Sequence, residues 1–322
     1  MDIFETALFP FRWLVSWIMY MFHEGFTFLG MDAASGWTWT LSIVGLVVVI
    51  RAALIPVFVK QIKAQRGMQA LQPDLRKLQQ KYKGKTDQLS RQAMTQEQMA
   101  LYKKHGTNPF AACLPIIIQM PFFFALFTVL NGISRASQES VTVGALSVES
   151  VRQFDEATIF GAPLSSTFLG SFGGTFNVAV IILSVIMILA MTASQFITQK
   201  QIMAKNMSEE AMQSPFMKQQ KMMLYVLPLV FGIGGINFPI GVLIYWTTTN
   251  VWTMAQQFYV IRRMPTPGSP AAKALAERRA KKGLPMIPLL GEKKAEPAAE
   301  VEPIEEPRPQ RVQPQRKKRK KR

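Results

Sequence analysis

The stretch VVVIRAALIPVFVK, residues 47–60, sets one arginine inside a run that otherwise prefers hydrocarbon. Extended upstream to residue 39, the run is long enough as a helix, at about 1.5 Å per residue, to cross a hydrocarbon core of about 30 Å. An arginine near the middle of such a span costs roughly 2.5–3.5 kcal/mol. Arg51 lies about 12 Å along the helix from the end of the run, so snorkelling recovers only part of that cost. Pro56 follows Arg51 and has no N–H for the Ala52 carbonyl, which predicts a loosened helix just past the arginine. No carboxylate is available nearby, because none of the apolar runs contains Asp or Glu. An unpaired cation at this depth needs water or polar side chains, so Arg51 is expected to face a hydrated cavity.

The rest of the chain fits a membrane setting. It has 322 residues, 49% hydrophobic, with 22 Phe, 19 Met and a formal charge of +17, so apolar and charged stretches must occupy different environments. Five spans are predicted: residues 39–59, 109–132 and 175–198, then a tight pair within 222–260 joined by Asn237-Phe238-Pro239. These are continuous apolar runs rather than alternating ten-residue strands, which excludes a β-barrel. The expected fold is therefore all-α and integral to the membrane: a five-helix transmembrane core, a cytoplasmic helical hairpin and a disordered basic tail.

Orientation follows from Lys and Arg. Segment 60–108 carries 11 of them against 3 acidic residues, 199–221 carries 4 against 2, and 261–322 carries 18 against 7. Segment 133–174 carries 2 against 4, and 1–38 carries 1 against 4. The first group is expected in the cytoplasm, which places the N-terminus outside and the C-terminus inside a bacterial plasma membrane. Within 1–38, LFPFRWLVSWIMYMF (residues 8–22) is apolar enough for a sixth span or a signal core. It lacks a basic flank and a cleavage site, and an amphipathic helix in the outer interface fits it better.

Met68, Leu71, Leu75, Leu78 and Tyr82 recur on one helical face, and Lys83-Gly84-Lys85 ends it before a second helical pattern begins. Segment 60–108 thus reads as an antiparallel helical hairpin. Its narrow apolar stripe suits self-packing and partner docking equally. After Arg263 the composition turns Pro-, Ala- and Glu-rich and reads as disordered, ending in Arg316, Lys317, Lys318, Arg319, Lys320, Lys321 and Arg322. Such a run attracts polyanions, with anionic lipid and ribosomal RNA both candidates, or simply solvates the chain and holds its topology.

Polar residues inside the spans could line the cavity around Arg51: Gln119, Gln195, and Thr247, Thr248, Thr249 and Asn250 beside Trp246. Taken singly, each is as readily an interhelical hydrogen bond worth about 0.6 kcal/mol. Catalytic and metal chemistry find no support. Cys113 is the sole cysteine, His23 and His105 lack ligand spacing, and Ser42 and Ser184 have no partner base. No enzyme activity, cofactor, metal or small-molecule substrate is expected.

Three motifs in order resemble the YidC family of membrane protein insertases. IRAALIPVFVKQIKAQRGMQALQPDLRKLQQKY (50–82) resembles its first core helix and cytoplasmic hairpin, and NPFAACLPIIIQMPFFFALFTVL (108–130) its second core helix. LPLVFGIGGINFPIGVLIYWTTTNVWTMAQQ (227–257) resembles its final helix pair. The chain looks like a short bacterial form, without the large outer domain of Gram-negative members. The resemblance implies a hydrophilic groove open to cytoplasm and lipid, with its arginine at Arg51 and groove residues at Gln119 and Trp246. It also implies insertion of nascent membrane proteins, alone or with the Sec translocon, and ribosomes engaged from the cytoplasm. A membrane transporter or channel with Arg51 as an anion site is the alternative. It predicts internal repeats and discontinuous spans, and no repeat is visible between the halves.

Overall fold

The computed structural model describes residues 3–108, 114–173, 176–208, 212 and 215–285. The basic run 316–322 and Cys113 lie outside them.

Twelve α-helices are formed by the described residues: α1 Ile3–Phe28, α2 Gly36–Ala53, α3 Ile55–Ala70, α4 Gln72–Lys81, α5 Gln88–Lys104, α6 Leu114–Glu139, α7 Val148–Glu156, α8 Gly170–Gly173, α9 Val178–Asn206, α10 Pro215–Gly234, α11 Ile240–Arg263 and α12 Pro270–Ala280. One two-residue antiparallel pair, β1 Thr158–Ile159 with β2 Ala162–Pro163, interrupts them. Among the described residues three helices are long and apolar enough to cross a membrane: α2, residues Ile117–Glu139 of α6, and α9. The main core lies where α2, α6, α9 and α11 meet. In α2, Trp39, Ile43, Leu46 and Ile50 recur at helical spacing and turn inward, while Leu41, Val48 and Val49 remain exposed on the opposite side.

Several expected boundaries shift. The first run does not continue as one helix to residue 59, because α2 ends at Ala53 and α3 begins at Ile55. The missing N–H of Pro56 interrupts the ladder there, with the break at Leu54, three residues past Arg51. Helix α9 continues to Asn206, and α10 already starts at Pro215, whose fixed φ suits a first helical position. Most of the expected loop 199–221 is therefore helical. Residues 264–285 are not disordered: Ser269 caps α12 by accepting from the Ala272 N–H, with Pro270 in the first turn, and α12 packs on the end of α9.

Helix α1 is longer than the apolar stretch 8–22 and packs on α2 and α6. Val15 and Met19 are buried; Phe11 meets Phe122 edge to face at 5.4 Å, and Ser16 Oγ accepts from the Ala145 N–H. His23 is structural. Its Nε2–H donates to the Ala33 carbonyl at 2.9 Å and its ring stacks on Trp39 at 3.8 Å.

One end of the bundle, the loop end, is filled by residues 140–173. Phe154 and Leu164 are fully buried there, and Phe154 packs edge to face on Trp39 at 5.2 Å. The start of α11 is fastened to this segment by N–H donation from Ile240 to Ser166 and from Gly241 to Leu164. The opposite end carries the hairpin. Leu71, Leu75 and Tyr102 form its small core, with Met68 and Leu101 beside them. At the tip Glu97 accepts from Lys81 at 2.8 Å and from the Tyr82 hydroxyl at 2.8 Å.

These two donors hold the Glu97 carboxyl below its ordinary range, Lys81 first and Tyr82 second. A depressed folded-state pKa stabilises the tip above the unfolded value of about 4.3 and loses that effect as pH falls through the folded value. Hydrogen exchange corrected for intrinsic rates should therefore show residues 80–88 loosening on acidification below about pH 4. In Glu97→Gln the same residues should exchange faster at neutral pH and lose that pH dependence.

The C-terminal end of α11 is a junction at the hairpin end. Arg66 of α3 donates to the Met264 carbonyl, and Arg278 of α12 donates to the Arg262 carbonyl at 3.2 Å. Asn206, at the end of α9, accepts from the Thr266 N–H at 2.9 Å. Cationic groups on terminal carbonyls suit both the unpaired acceptors and the helix dipole.

Candidate functional site

Arg51 sits at the edge of the buried face of α2 and is only 8% exposed. Its guanidinium carbon lies 5.6 Å from the centre of the Phe58 ring, within cation–π range, so the residue just past the helix break supplies part of its environment. On the facing side the Tyr245 hydroxyl of α11 is close enough to interact with it electrostatically. That hydroxyl accepts from Gln119 Nε2 at 3.1 Å, which ties α6 to α11. Among the described residues no carboxylate forms an ion pair with Arg51. Tyr245 and Gln119 thus form a hydrogen-bonded polar pair between α6 and α11, with Arg51 of α2 in electrostatic range of it.

The other expected groove residues divide. Trp246 is enclosed by rings, with Phe231 at 4.7 Å, Phe123 at 5.0 Å and Phe238 at 5.6 Å, so it stands in an aromatic cluster. Asn250 donates to the Met191 carbonyl at 3.3 Å, the ordinary interhelical bond that a buried amide in a span makes. Gln195 Oε1 and Thr247 Oγ1 are buried without a hydrogen-bond partner among the described residues, as is Gln119 Oε1, while the Thr249 hydroxyl lies beside that of Tyr245. Thr248 donates back to the Ile244 carbonyl of its own helix.

Tyr245 was not among the residues expected from sequence. The signal was available: a phenol inside a span must find a hydrogen-bond partner, and Gln119 was the polar group free to give one. Among the described residues no cluster of three or more His, Cys, Asp or Glu side chains could hold a metal ion.

A helical bundle with three apolar spans among the described residues and a buried arginine near a polar pair defines an integral membrane protein. The family model for the 60Kd inner membrane protein matches residues 30–267, and the chain belongs to that family. It is a multi-pass bacterial inner-membrane protein. It is 49% identical over 279 residues to a Streptomyces avermitilis protein named membrane protein insertase YidC, covering 85% of this chain and 63% of that relative's length. Proteins of the same name from Tropheryma whipplei and Bifidobacterium longum are 42% and 36% identical, with 86% and 97% of this chain covered and 90% and 94% of theirs. A solved structure described as an active YidC insertase is similar at 20% identity and a TM-score of 0.42, over 80% of this chain and 47% of that one.

Proposed function

We propose that the chain is a membrane protein insertase: it receives nascent membrane proteins in a hydrophilic groove around Arg51 and releases their helices into lipid. The observation that carries this reading is a buried arginine with no acidic partner among the described residues, within electrostatic range of a tyrosine–glutamine pair and near the hairpin end rather than the plugged one. The unpartnered oxygens of Gln119, Gln195 and Thr247 add polar character that a dry bundle would penalise.

The proposed core has five spans, α2, α6, α9, α10 and α11. The hairpin and α12 face the cytoplasm, and α1 lies across the outer half of the bundle. A polar, often acidic, client segment enters from the cytoplasm and is drawn to Arg51, whose charge acts more strongly in a low-dielectric surrounding than in water. The groove shortens the hydrocarbon that this segment must cross. The client's apolar helix then leaves along the protein's flank, driven by about 25 cal/mol for each Å² of apolar surface taken out of water. Residues 140–173 close the outer end, so the polar segment cannot leak through as ions would through a channel. Ribosomes, the Sec translocon and anionic lipids are proposed partners, the first and last through the basic C-terminal run. No covalent chemistry or cofactor enters the cycle.

A photoreactive amino acid placed at Gln119 should crosslink to a ribosome-stalled membrane protein. The same probe at Trp246, within its ring of phenylalanines, should crosslink less. Absence of adducts from both positions, together with anion flux through liposomes carrying the protein, would overturn the reading in favour of an anion pathway.

A further inference from the structure

We propose that the turn between β1 and β2 is a lipid anchor: Phe160 inserts its ring into the leaflet at the loop end, where headgroups meet acyl chains. The turn has two central residues, Phe160 at φ 50° and Gly161 at φ 79°, the pattern of a type I′ turn. Such a turn favours Asn, Asp or Gly at both positions, because a side chain at positive φ crowds its own backbone. Phenylalanine is thus a poor choice for the turn itself. Nor is it chosen for the core, since Phe160 is 73% exposed. A large ring held in a disfavoured conformation and left uncovered by the fold points to something outside the fold that covers it.

Its position identifies the cover. The turn is wedged between the first residues of two spans. On one side a Cβ at Gly36, the first residue of α2, would lie 2.1 Å from the Thr158 carbonyl oxygen, so β1 sits directly against that helix start. On the other side Asn177, which caps α9, donates to the Gly161 carbonyl at 3.3 Å. Phe160 therefore stands level with the ends of α2 and α9, both long and apolar enough to cross the bilayer. Around it the same level is aromatic and open: Trp37 meets Phe160 edge to face at 5.4 Å and is 49% exposed, while Phe172 and Phe176 are 57% and 66% exposed. This band continues directly into the exposed apolar side of α9 at Val178 and Ile182, a helix long and apolar enough to cross the bilayer. Aromatic rings at the end of a span are the ordinary means of fixing its depth. The occupant is the bilayer interface itself, and the docked turn fixes the depth of two helices at once.

The test uses the full chain in phosphatidylcholine liposomes, with Cys113→Ser to remove the native thiol and Phe160→Cys carrying an environment-sensitive fluorophore. Lipids bearing a shallow nitroxide should quench this label at least about twofold more than the same label at Arg152→Cys, on the charged face of α7. Equal, weak quenching at both positions overturns the proposal. A photoreactive phenylalanine analogue at 160 provides a second measurement that needs no cysteine. It should form lipid adducts in liposomes and in native membranes, whereas a discrete protein adduct in native membranes would assign the band to a protein partner and overturn the lipid anchor.

Discussion

Replacing Arg51 with leucine is expected to leave the protein at least as stable while reducing insertion of a single-span client with an acidic N-terminal segment by about tenfold or more. The two effects separate because the arginine is costly to bury. Its transfer into a span is unfavourable by roughly 2.5–3.5 kcal/mol, and leucine's is favourable by about 0.3–0.6 kcal/mol. Function runs the other way. Opposite charges at 4 Å gain about 4 kcal/mol at an effective dielectric of 20, so losing a third of that is already about tenfold. Arg51→Lys keeps the charge but not the planar group beside Phe58, and should fall between the two. Thermal unfolding in detergent reads the stability, and protease protection of a client added to liposomes reads the insertion. Full insertion by the leucine variant would remove Arg51 from the mechanism.

The second large effect is expected at the plugged end. Phe154 is fully buried, lies on Trp39 of α2, and is the nearest neighbour of a Cβ built at Gly241 of α11, at 3.1 Å. Phe154→Ala removes the group that three elements share, and truncations of this kind cost about 3–5 kcal/mol. The midpoint of thermal unfolding should drop by several degrees, and ions should leak through liposomes carrying the variant where the parent chain holds them. A variant as stable as the parent would mean that residues 140–173 merely rest on the helices and do not seal them.

These two sites differ in how plainly the sequence shows them. Arg51 is conspicuous because charge inside an apolar run is expensive, and Pro56 marks the break beyond it by chemistry alone. The cores of α2, α6 and α9 are visible for the same reason, as apolar runs of bilayer length. Phe154 lies in α7, a short helix inside a connection of ordinary composition, and nothing local says that it fills the space between α2 and α11. Trp246 shows the complementary case. A tryptophan beside Thr247 and Asn250 looks polar-lined, yet the rings around it come from α6, from α10 and from the connection before α11, three places far apart in the chain. Helix α12 was hidden by composition, since Pro265-Thr266-Pro267-Gly268 looks like a linker. The start signal was nonetheless present in Ser269-Pro270, a cap followed by proline in the first turn.

The junction below α11 has a mechanical consequence. Arg66 of α3 and Arg278 of α12 hold two different carbonyls at the end of α11, those of Met264 and Arg262, so both helices are moored to the rod that carries Tyr245. Traction on α12 is thereby delivered to that rod, and α3 cannot swing clear without giving up its own grip on it.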